Sequence, residues 1–381
     1  MNLNFLLGDS IISPLGFGTQ LNLEAIRQGE TALQSHTNLS YQKDSFYAGI
    51  IDNDLLDEAF SRIGNLRAYT KLEKMMLLSI HQVLEDFPYL DLERTGLVIA
   101  TTKANIDELG KGRFSEDRLM LWKLGEVVAK FFGFQDKPMI VSNACVSGAL
   151  ALKLGNDLIQ SGRFDHVMVA GGDLVSEFVL SGFNSFQAIS PEPCRPFSND
   201  RQGISLGEAA AAMLIGPKTG KGETRIGYID AVTANDANHI SGPSRTGEGL
   251  YSSISRLLKA NKVKPSEIDF LSAHGTATAY NDEMESIAFN RAGLQDIPVN
   301  SLKGYYGHSL GASALIESII TRHNMLNNEL FASRNFTDLG VSRPLNIIQQ
   351  HRSSELNLAL KTASGFGGCN LAMFLKKVQD E

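Results

Sequence analysis

The sequence predicts an α/β layered fold, arranged as two domains or as one large duplicated unit. Short apolar strands alternate with longer helical patterns, which favours strands packed between helices over an all-β or bundle architecture. At 381 residues the chain exceeds the usual size of a single core, and no proline-rich or Gly/Ser linker divides it, so any two halves must pack closely. A faint repeat links "PMIVSNACVSGALALKLGNDLIQSG" to "IPVNSLKGYYGHSLGASALIESIITRHN": apolar strand, polar turn, small-residue helix, loop.

"TGLVIATT" (Thr95–Thr102), "KPMIVSN" (Lys137–Asn143), "DHVMVAGG" (Asp165–Gly172) and "IDFLSAHG" (Ile268–Gly275) read as buried strands. Ala68–Phe87 and Arg118–Gly133 carry helical periodicity. "ASGFGGCN" (Ala363–Asn370) is a glycine-rich turn between strand-like runs, expected to be a hairpin, without the strand-to-helix setting of a phosphate loop.

Composition narrows the function classes. With 43% hydrophobic and 20% charged residues the chain can bury a large core, and a net charge of −7 argues against nucleic acid as the main ligand. Cys145, Cys194 and Cys369 are far apart, odd in number and form no CxxC pair, so a disulfide framework is not expected and a reducing cytoplasm is the simplest setting. The N-terminal apolar run lacks the basic lead and length of a signal peptide, and no stretch approaches the roughly 20 apolar residues of a membrane span.

Three segments suggest chemistry. Cys145 follows a strand and opens a helix, where free backbone N–H groups and the positive end of the helix dipole favour a thiolate. His274 stands directly after a strand at a glycine turn; Asn281, Asp282 and Glu285 suit the opening turn of the next helix. His308 occupies a similar turn before a helix of small residues. Lys303, at a strand end, favours a buried pairing role, with Glu317 or Glu285 as partner. A zinc site from the cysteine and two histidines would lack short ligand spacings and leave a poor acyl acceptor, so no metal is expected. A Cys-His hydrolase is a rival that leaves one histidine and Lys303 without a role.

Together "NACVSG", "CRPFSNDRQGISLGEAAAAMLI", "AHGTATAYNDEMES", "KGYYGHSLGASALIE" and "GFGGCN", after the opening "GDSIISPLGFGTQLNLEAIRQGETAL", resemble the β-ketoacyl-acyl carrier protein synthases over nearly the whole chain. The resemblance implies a thiolase-like fold: duplicated βαβαβαββ halves, here 1–222 and 223–381, in a five-layered αβαβα sandwich, usually a homodimer. It implies Cys145 as nucleophile, His274 and His308 as the histidine pair, Lys303 as the lysine, and Asp282, Glu285 and Glu317 in support. Phe366 matches the aromatic gate, flanked by Gly365 and Gly367, and its backbone N–H joins that of Cys145 in an oxyanion site. The implied reaction is decarboxylative condensation of a Cys-bound acyl group with malonyl-carrier protein. The substrates ride on the phosphopantetheine arm of acyl carrier protein, and no other cofactor is needed. Arg62, Arg67, Lys71 and Lys74 resemble the family's docking region for the acidic carrier.

Several positions depart from the family pattern. Ala277 replaces a common glycine, Thr362 an asparagine and Ser364 an aromatic residue, while Tyr305 and Tyr306 add bulk near His308. Ser364, Tyr305 and Tyr306 are therefore expected to reshape the acyl pocket, for fatty-acid, polyketide, polyene or aryl-polyene synthesis. The alternatives are a non-catalytic chain-length-factor-like subunit of a heterodimer, which typically lacks the cysteine, and a thiolase-type acyl-CoA enzyme, for which Cys369 would serve as second cysteine.

Overall fold

The computed structural model describes residues 3–37, 45–217, 224–236, 242 and 244–379. Ten strands carry the architecture. In the first half β1 (Asn4–Ser13), β2 (Thr95–Ala100), β3 (Met139–Val141), β4 (His166–Asp173) and β5 (Ala209–Gly216) lie in the order β3-β2-β4-β5-β1. In the second, β6 (Arg225–Asn235), β7 (Phe270–Ser272), β8 (Pro298–Asn300), β9 (Leu358–Ser364) and β10 (Cys369–Val378) lie in the order β8-β7-β9-β10-β6. Directions repeat as well. β2 runs parallel to β3 and β4, as β7 does to β8 and β9, and the remaining pairings within each set are antiparallel. The sets meet where β1 pairs with β6 through Asn4–Tyr228 and Phe5–Gly227. The expected boundary at 222/223 lies outside the described residues.

Six principal helices form the other layers, α1 (Lys71–Asp86), α2 (Leu121–Phe132), α3 (Ser147–Gln160), α5 (Glu248–Asn261), α6 (Ala279–Arg291) and α7 (Ser313–Asn327), while α4 (Glu177–Ser185) packs beside them on Phe46, Val175 and Ile204. The strands read as continuous apolar runs because both faces are covered. On β2, Leu97 and Ile99 face α1 and α2, while Val98 and Ala100 face α3. On β10, Leu371 and Met373 face α7, while Ala372 and Phe374 face α5 and α6. The layers are thus α1/α2, first sheet, α3/α7, second sheet, α5/α6. This is the five-layered arrangement the resemblance implies.

The two central helices meet closely. A Cβ on Gly148 of α3 would stand 2.7 Å from the Leu315 nitrogen and 2.9 Å from the Gly311 oxygen, so the small residues after Cys145 set the approach of the halves. α1 starts later than predicted, at a capping box between Thr70 and Glu73. The helix expected over 118–133 starts at Leu121, because Glu116–Leu119 form a 3-10 turn in which Arg118 reaches Glu73. The strand expected over 137–143 is shortened to Met139–Val141, since the Asn143 N–H turns away to the Ser147 hydroxyl at 2.8 Å. Among the described residues no helix is long and apolar enough to cross a membrane.

Candidate active site

The site lies where loops from both halves converge. Cys145 sits between β3 and α3, buried, and the residue before it, Ala144, has φ 44. That left-handed conformation is costly for alanine and is held by the Ser147 hydroxyl, which donates to the Ala144 carbonyl at 2.7 Å. The Phe366 backbone N–H faces the sulfur from the β9–β10 hairpin. A Cβ on Gly365 would come within 3.3 Å of the Cys145 nitrogen, so a glycine there allows the hairpin to approach.

His274 follows β7 and is held through its backbone. Glu285 accepts from the N–H groups of His274 (2.8 Å) and Gly275 (2.6 Å), while Asp282 accepts from those of Thr276 and Ala277. Both carboxylates lie in the first two turns of α6, capped by Thr278. The Lys303 ammonium donates to the His274 carbonyl (2.5 Å) and to its Nδ1 (3.3 Å), and pairs with Glu317 Oε1 at 2.6 Å. His308 is carried across the halves: its N–H donates to the Ser205 carbonyl at 2.7 Å, and its Nδ1 accepts from the Leu310 N–H at 3.2 Å.

These contacts fix the protonation pattern. Each Nδ1 already receives a proton donor, so each neutral ring carries its proton on Nε2. Burial, reinforced by the Lys303 charge, holds both histidines well below the usual imidazole range, so both are neutral. The His308 Nε2 is buried without a partner among the described residues: an unspent donor. The ring centroids are 5.2 Å apart, and the sulfur and one nitrogen from each ring lie within 4.8 Å of one another.

Such a trio could hold a soft metal ion only if the rings turned lone pairs inward, which would break the bonds at Nδ1. The Cys-His hydrolase reading fails on the same ground, because neither Nε2 is free to take the thiol proton. One expectation is corrected. Burial pushes the Cys145 thiol up to about 11, against the favourable Lys303 charge and Phe366 N–H, so the thiol and not the thiolate is the resting form.

Glu317 is held below the usual carboxylate range because Lys303 and Lys361 outweigh its burial. Burial and the neighbouring Asp282 push Glu285 up to about 7. Phe366 is 40% exposed at the hairpin tip, with its ring against Phe183 (5.7 Å between centroids) and Phe186 (5.4 Å), and Gly367 takes φ +89 beside it. Ser364 and Gly365 through Gly368 line the cleft to Cys145 with these aromatic rings.

Other expected residues are placed elsewhere. Tyr305 and Tyr306 are packed in the core and do not line this cleft: the helical turn Lys303–Tyr306 sends Tyr305 toward the Ala332 carbonyl, to which its hydroxyl donates at 3.1 Å. Lys71 and Lys74 are largely covered and already paired, Lys71 with the buried Glu208 and Lys74 with Asp57, each at 2.6 Å, so they are not open docking charges. Arg62 and Arg67 are exposed. Cys369 begins β10 with its sulfur 3.1 Å from Asn235 Oδ1 and is absent from the cleft wall. Phe183, Phe186 and Lys361 went unread in the sequence, although a lysine within the apolar run "LNLALKTAS" was a visible anomaly.

The family description "Beta-ketoacyl synthase, N-terminal domain" matches residues 6–219, and "Beta-ketoacyl synthase, C-terminal domain" matches 227–337. The chain belongs to the β-ketoacyl synthase family. It is 26% identical over 418 residues to a putative mitochondrial 3-oxoacyl-[acyl-carrier-protein] synthase of Schizosaccharomyces pombe, covering 97% of this chain and 98% of the relative. It is 32% identical over 254 residues to 3-oxoacyl-[acyl-carrier-protein] synthase 2 of Rhizobium meliloti, covering 62% and 60%. In fold it is similar to a ketosynthase solved in complex with its chain length factor from Xenorhabdus doucetiae (TM-score 0.86, 23% identity, 99% and 98% covered). A β-ketoacyl synthase from Burkholderia phymatum is similar at TM-score 0.85 and 21% identity, with 100% of both chains covered. The family is one of condensing acyltransferases.

Proposed function

We propose that this family member performs decarboxylative condensation, with Cys145 as acyl acceptor and His274 and His308 as donors to the enolate. The observation that carries the reading is the cluster of the sulfur with one nitrogen from each ring within 4.8 Å of one another, each ring having its Nδ1 engaged elsewhere. In the first half-reaction the Cys145 sulfur attacks an acyl thioester while the backbone N–H groups of Cys145 and Phe366 hold the oxyanion. The carrier thiol leaves with the proton that Cys145 gives up. In the second, a malonyl thioester loses carbon dioxide, and the electron pair of the broken C–C bond passes to the enolate, whose oxygen accepts from both histidines. The enolate carbon then attacks acyl-Cys145, the C–S bond breaks, the sulfur regains a proton from solvent, and a β-ketoacyl thioester leaves.

A preorganised donor of this kind contributes roughly 3 kcal/mol, so loss of either histidine lowers condensation by about two orders of magnitude or more. Lys303, Glu317, Glu285 and Asp282 act by holding the two histidine loops. We take the halves as 1–222 and 223–381, the first supplying the nucleophile and the second the donors.

The carried substrates point to an acyl carrier protein as partner, with Arg62 and Arg67 as its contact. The assembly is a homodimer, or a heterodimer of the kind seen in the ketosynthase solved with its chain length factor. The unpaired cysteines suit a cytoplasmic setting. The aromatic cleft wall of Phe183, Phe186 and Phe366 suits planar polyene or aryl-polyene chains over saturated ones. Mass spectrometry of Cys145 after incubation with acyl thioesters tests both levels. A Cys145→Ala protein that still takes up acyl groups would sink the mechanism, and a strong preference for long saturated chains would sink the polyene assignment.

A further inference from the structure

Behind the histidines lies a charge that the condensation steps do not use. Lys361, on β9, is fully buried, and its ammonium stands 2.7 Å from Glu317 Oε2. It also donates to the carbonyls of Thr362 (2.5 Å), Ser272 (3.3 Å) and Ala273 (3.4 Å). Ser272 and Ala273 are the residues that lead into His274. The same Glu317 carboxylate holds Lys303 through its other oxygen, so two buried ammoniums share one carboxylate and the trio carries a net positive charge. Burial of an ammonium is expensive unless paired, and this one is spent at the root of the His274 loop rather than on filling space.

The groups facing it are Glu317 from α7, Lys303 from the turn after β8, His274, and Glu285 of α6, whose charge also favours the ammonium. Against His274 the lysine acts electrostatically in the same sense as Lys303, disfavouring a charged ring.

We propose that Lys361 is a second positioning lysine for the decarboxylation step. Through the Ser272 and Ala273 carbonyls it pins the strand end that carries His274. By engaging the second oxygen of Glu317 it fixes the carboxylate that holds Lys303 against the ring, and its charge supports the negative charge that develops in front of the ring. The inference rests on the condensation reading above, and predicts that the two half-reactions depend on Lys361 unequally. Acyl loading of Cys145 needs only the hairpin and helix-start N–H groups, whereas carbon dioxide loss needs His274 as a neutral Nε2–H donor.

The test uses the full-length protein with Lys361→Met, which removes donor and charge, and Lys361→Gln, which removes the charge alone. Butyryl-pantetheine measures loading by mass spectrometry, malonyl-pantetheine measures carbon dioxide release by the loaded enzyme, and ¹⁵N NMR of labelled histidine follows His274. Loading is expected within about twofold of wild type, and carbon dioxide release about tenfold lower or more through kcat with KM kept. The His274 titration is expected to move up toward the ordinary imidazole range.

Carbon dioxide release within twofold of wild type in a folded variant would overturn the proposal, as would loading and release falling together. If neither variant reaches a native melting profile, the lysine serves folding alone and the positioning role is overturned. A wild-type enzyme that releases no carbon dioxide would overturn the condensation reading instead, while the His274 titration still decides the role of Lys361.

Discussion

Two glycines on α3 allow a sharp test of the contact between the halves. A Cβ at Gly148 would meet the Leu315 nitrogen at 2.7 Å, the Gly311 oxygen at 2.9 Å and the Leu315 Cβ at 3.0 Å. Two of these atoms are backbone, so the helices must separate. Restoring ordinary contact near 3.5 Å requires an opening of roughly 0.5–0.8 Å. Overpacking of this kind costs about 1–3 kcal/mol, and the gain from alanine near a helix start offsets only part of that.

At Gly155, two turns on, a Cβ would meet only side-chain tips: Val167 Cγ1 at 3.1 Å, Val169 Cγ2 at 3.2 Å and Ile215 Cδ1 at 3.4 Å. For a chain of this size, 1 kcal/mol moves the melting temperature by about 1 °C. Gly148→Ala is therefore expected to melt about 1–3 °C lower, with condensation reduced about tenfold, because Gly311 and Cys145 part by a distance that matters in a preorganised site. Gly155→Ala is expected to melt within about 1 °C of wild type and keep its turnover. Differential scanning calorimetry and carbon dioxide release from malonyl-pantetheine read the two effects. A Gly148→Ala protein no worse than Gly155→Ala in both assays would refute the claim that α3 and α7 set the site geometry.

Three further outcomes follow from the site. Since burial pushes the Cys145 thiol up to about 11, its thiolate fraction, and with it the iodoacetamide alkylation rate, should rise about tenfold per pH unit through pH 9; a plateau below pH 8 would contradict the burial argument. Charge reversal at Arg62 and Arg67 should raise KM for carrier-borne substrates and spare pantetheine thioesters, whereas Lys71→Glu and Lys74→Glu should lower the melting temperature by breaking the pairs with Glu208 and Asp57; equal KM values throughout would refute docking at this segment. Ala277→Gly relieves φ 63, about 1 kcal/mol, but removes a buried methyl packed with Leu33 and Cys194, so calorimetry should find little change. Gly275→Ala, at φ +43 and 2.8 Å from the Ser301 hydroxyl, should melt clearly lower.

The trio of Cys145, His274 and His308 was legible in the sequence because each member follows an apolar strand and precedes a capped or small-residue helix, a local pattern that a reader can see. Asp282 and Glu285 were legible for the same reason, lying three residues apart at a helix start. What the sequence hid was the direction in which side chains turn after the strand ends. Lys71 and Lys74 were expected as docking charges, but α1 is covered on most of its surface, and their partners Glu208 and Asp57 are set by tertiary approach. Tyr305 and Tyr306 adjoin His308 in sequence, yet the single helical turn between Lys303 and Gly307 rotates them into the core. Lys361 was hidden by the ordinary expectation that lysine is exposed, which fails when a shared carboxylate waits behind the strand.

Duplication explains why the site uses both halves. Corresponding loops follow the third strand of each set: after β3 comes Cys145, and after β8 come Lys303 and His308, each loop leading into a central helix. Corresponding loops also follow the second strands, Thr101–Ala104 after β2 and His274–Thr278 after β7. Two copies of one scaffold therefore place four loops around one point, and specialisation needs only different side chains at equivalent stations. In the condensation proposed above, the thiol is held by N–H dipoles and kept from a neighbouring base, whereas the donors are neutral rings with Nδ1 satisfied. One loop cannot meet both demands, because a ring whose Nδ1 accepts from Leu310 has no lone pair left for the thiol proton. Under that proposal the division of labour between halves is a chemical requirement. It also predicts that exchanging the nucleophile and donor between equivalent loops, as in Cys145→His with His308→Cys, yields a folded protein with no condensation activity, since the Phe366 N–H that faces a sulfur is placed at position 145.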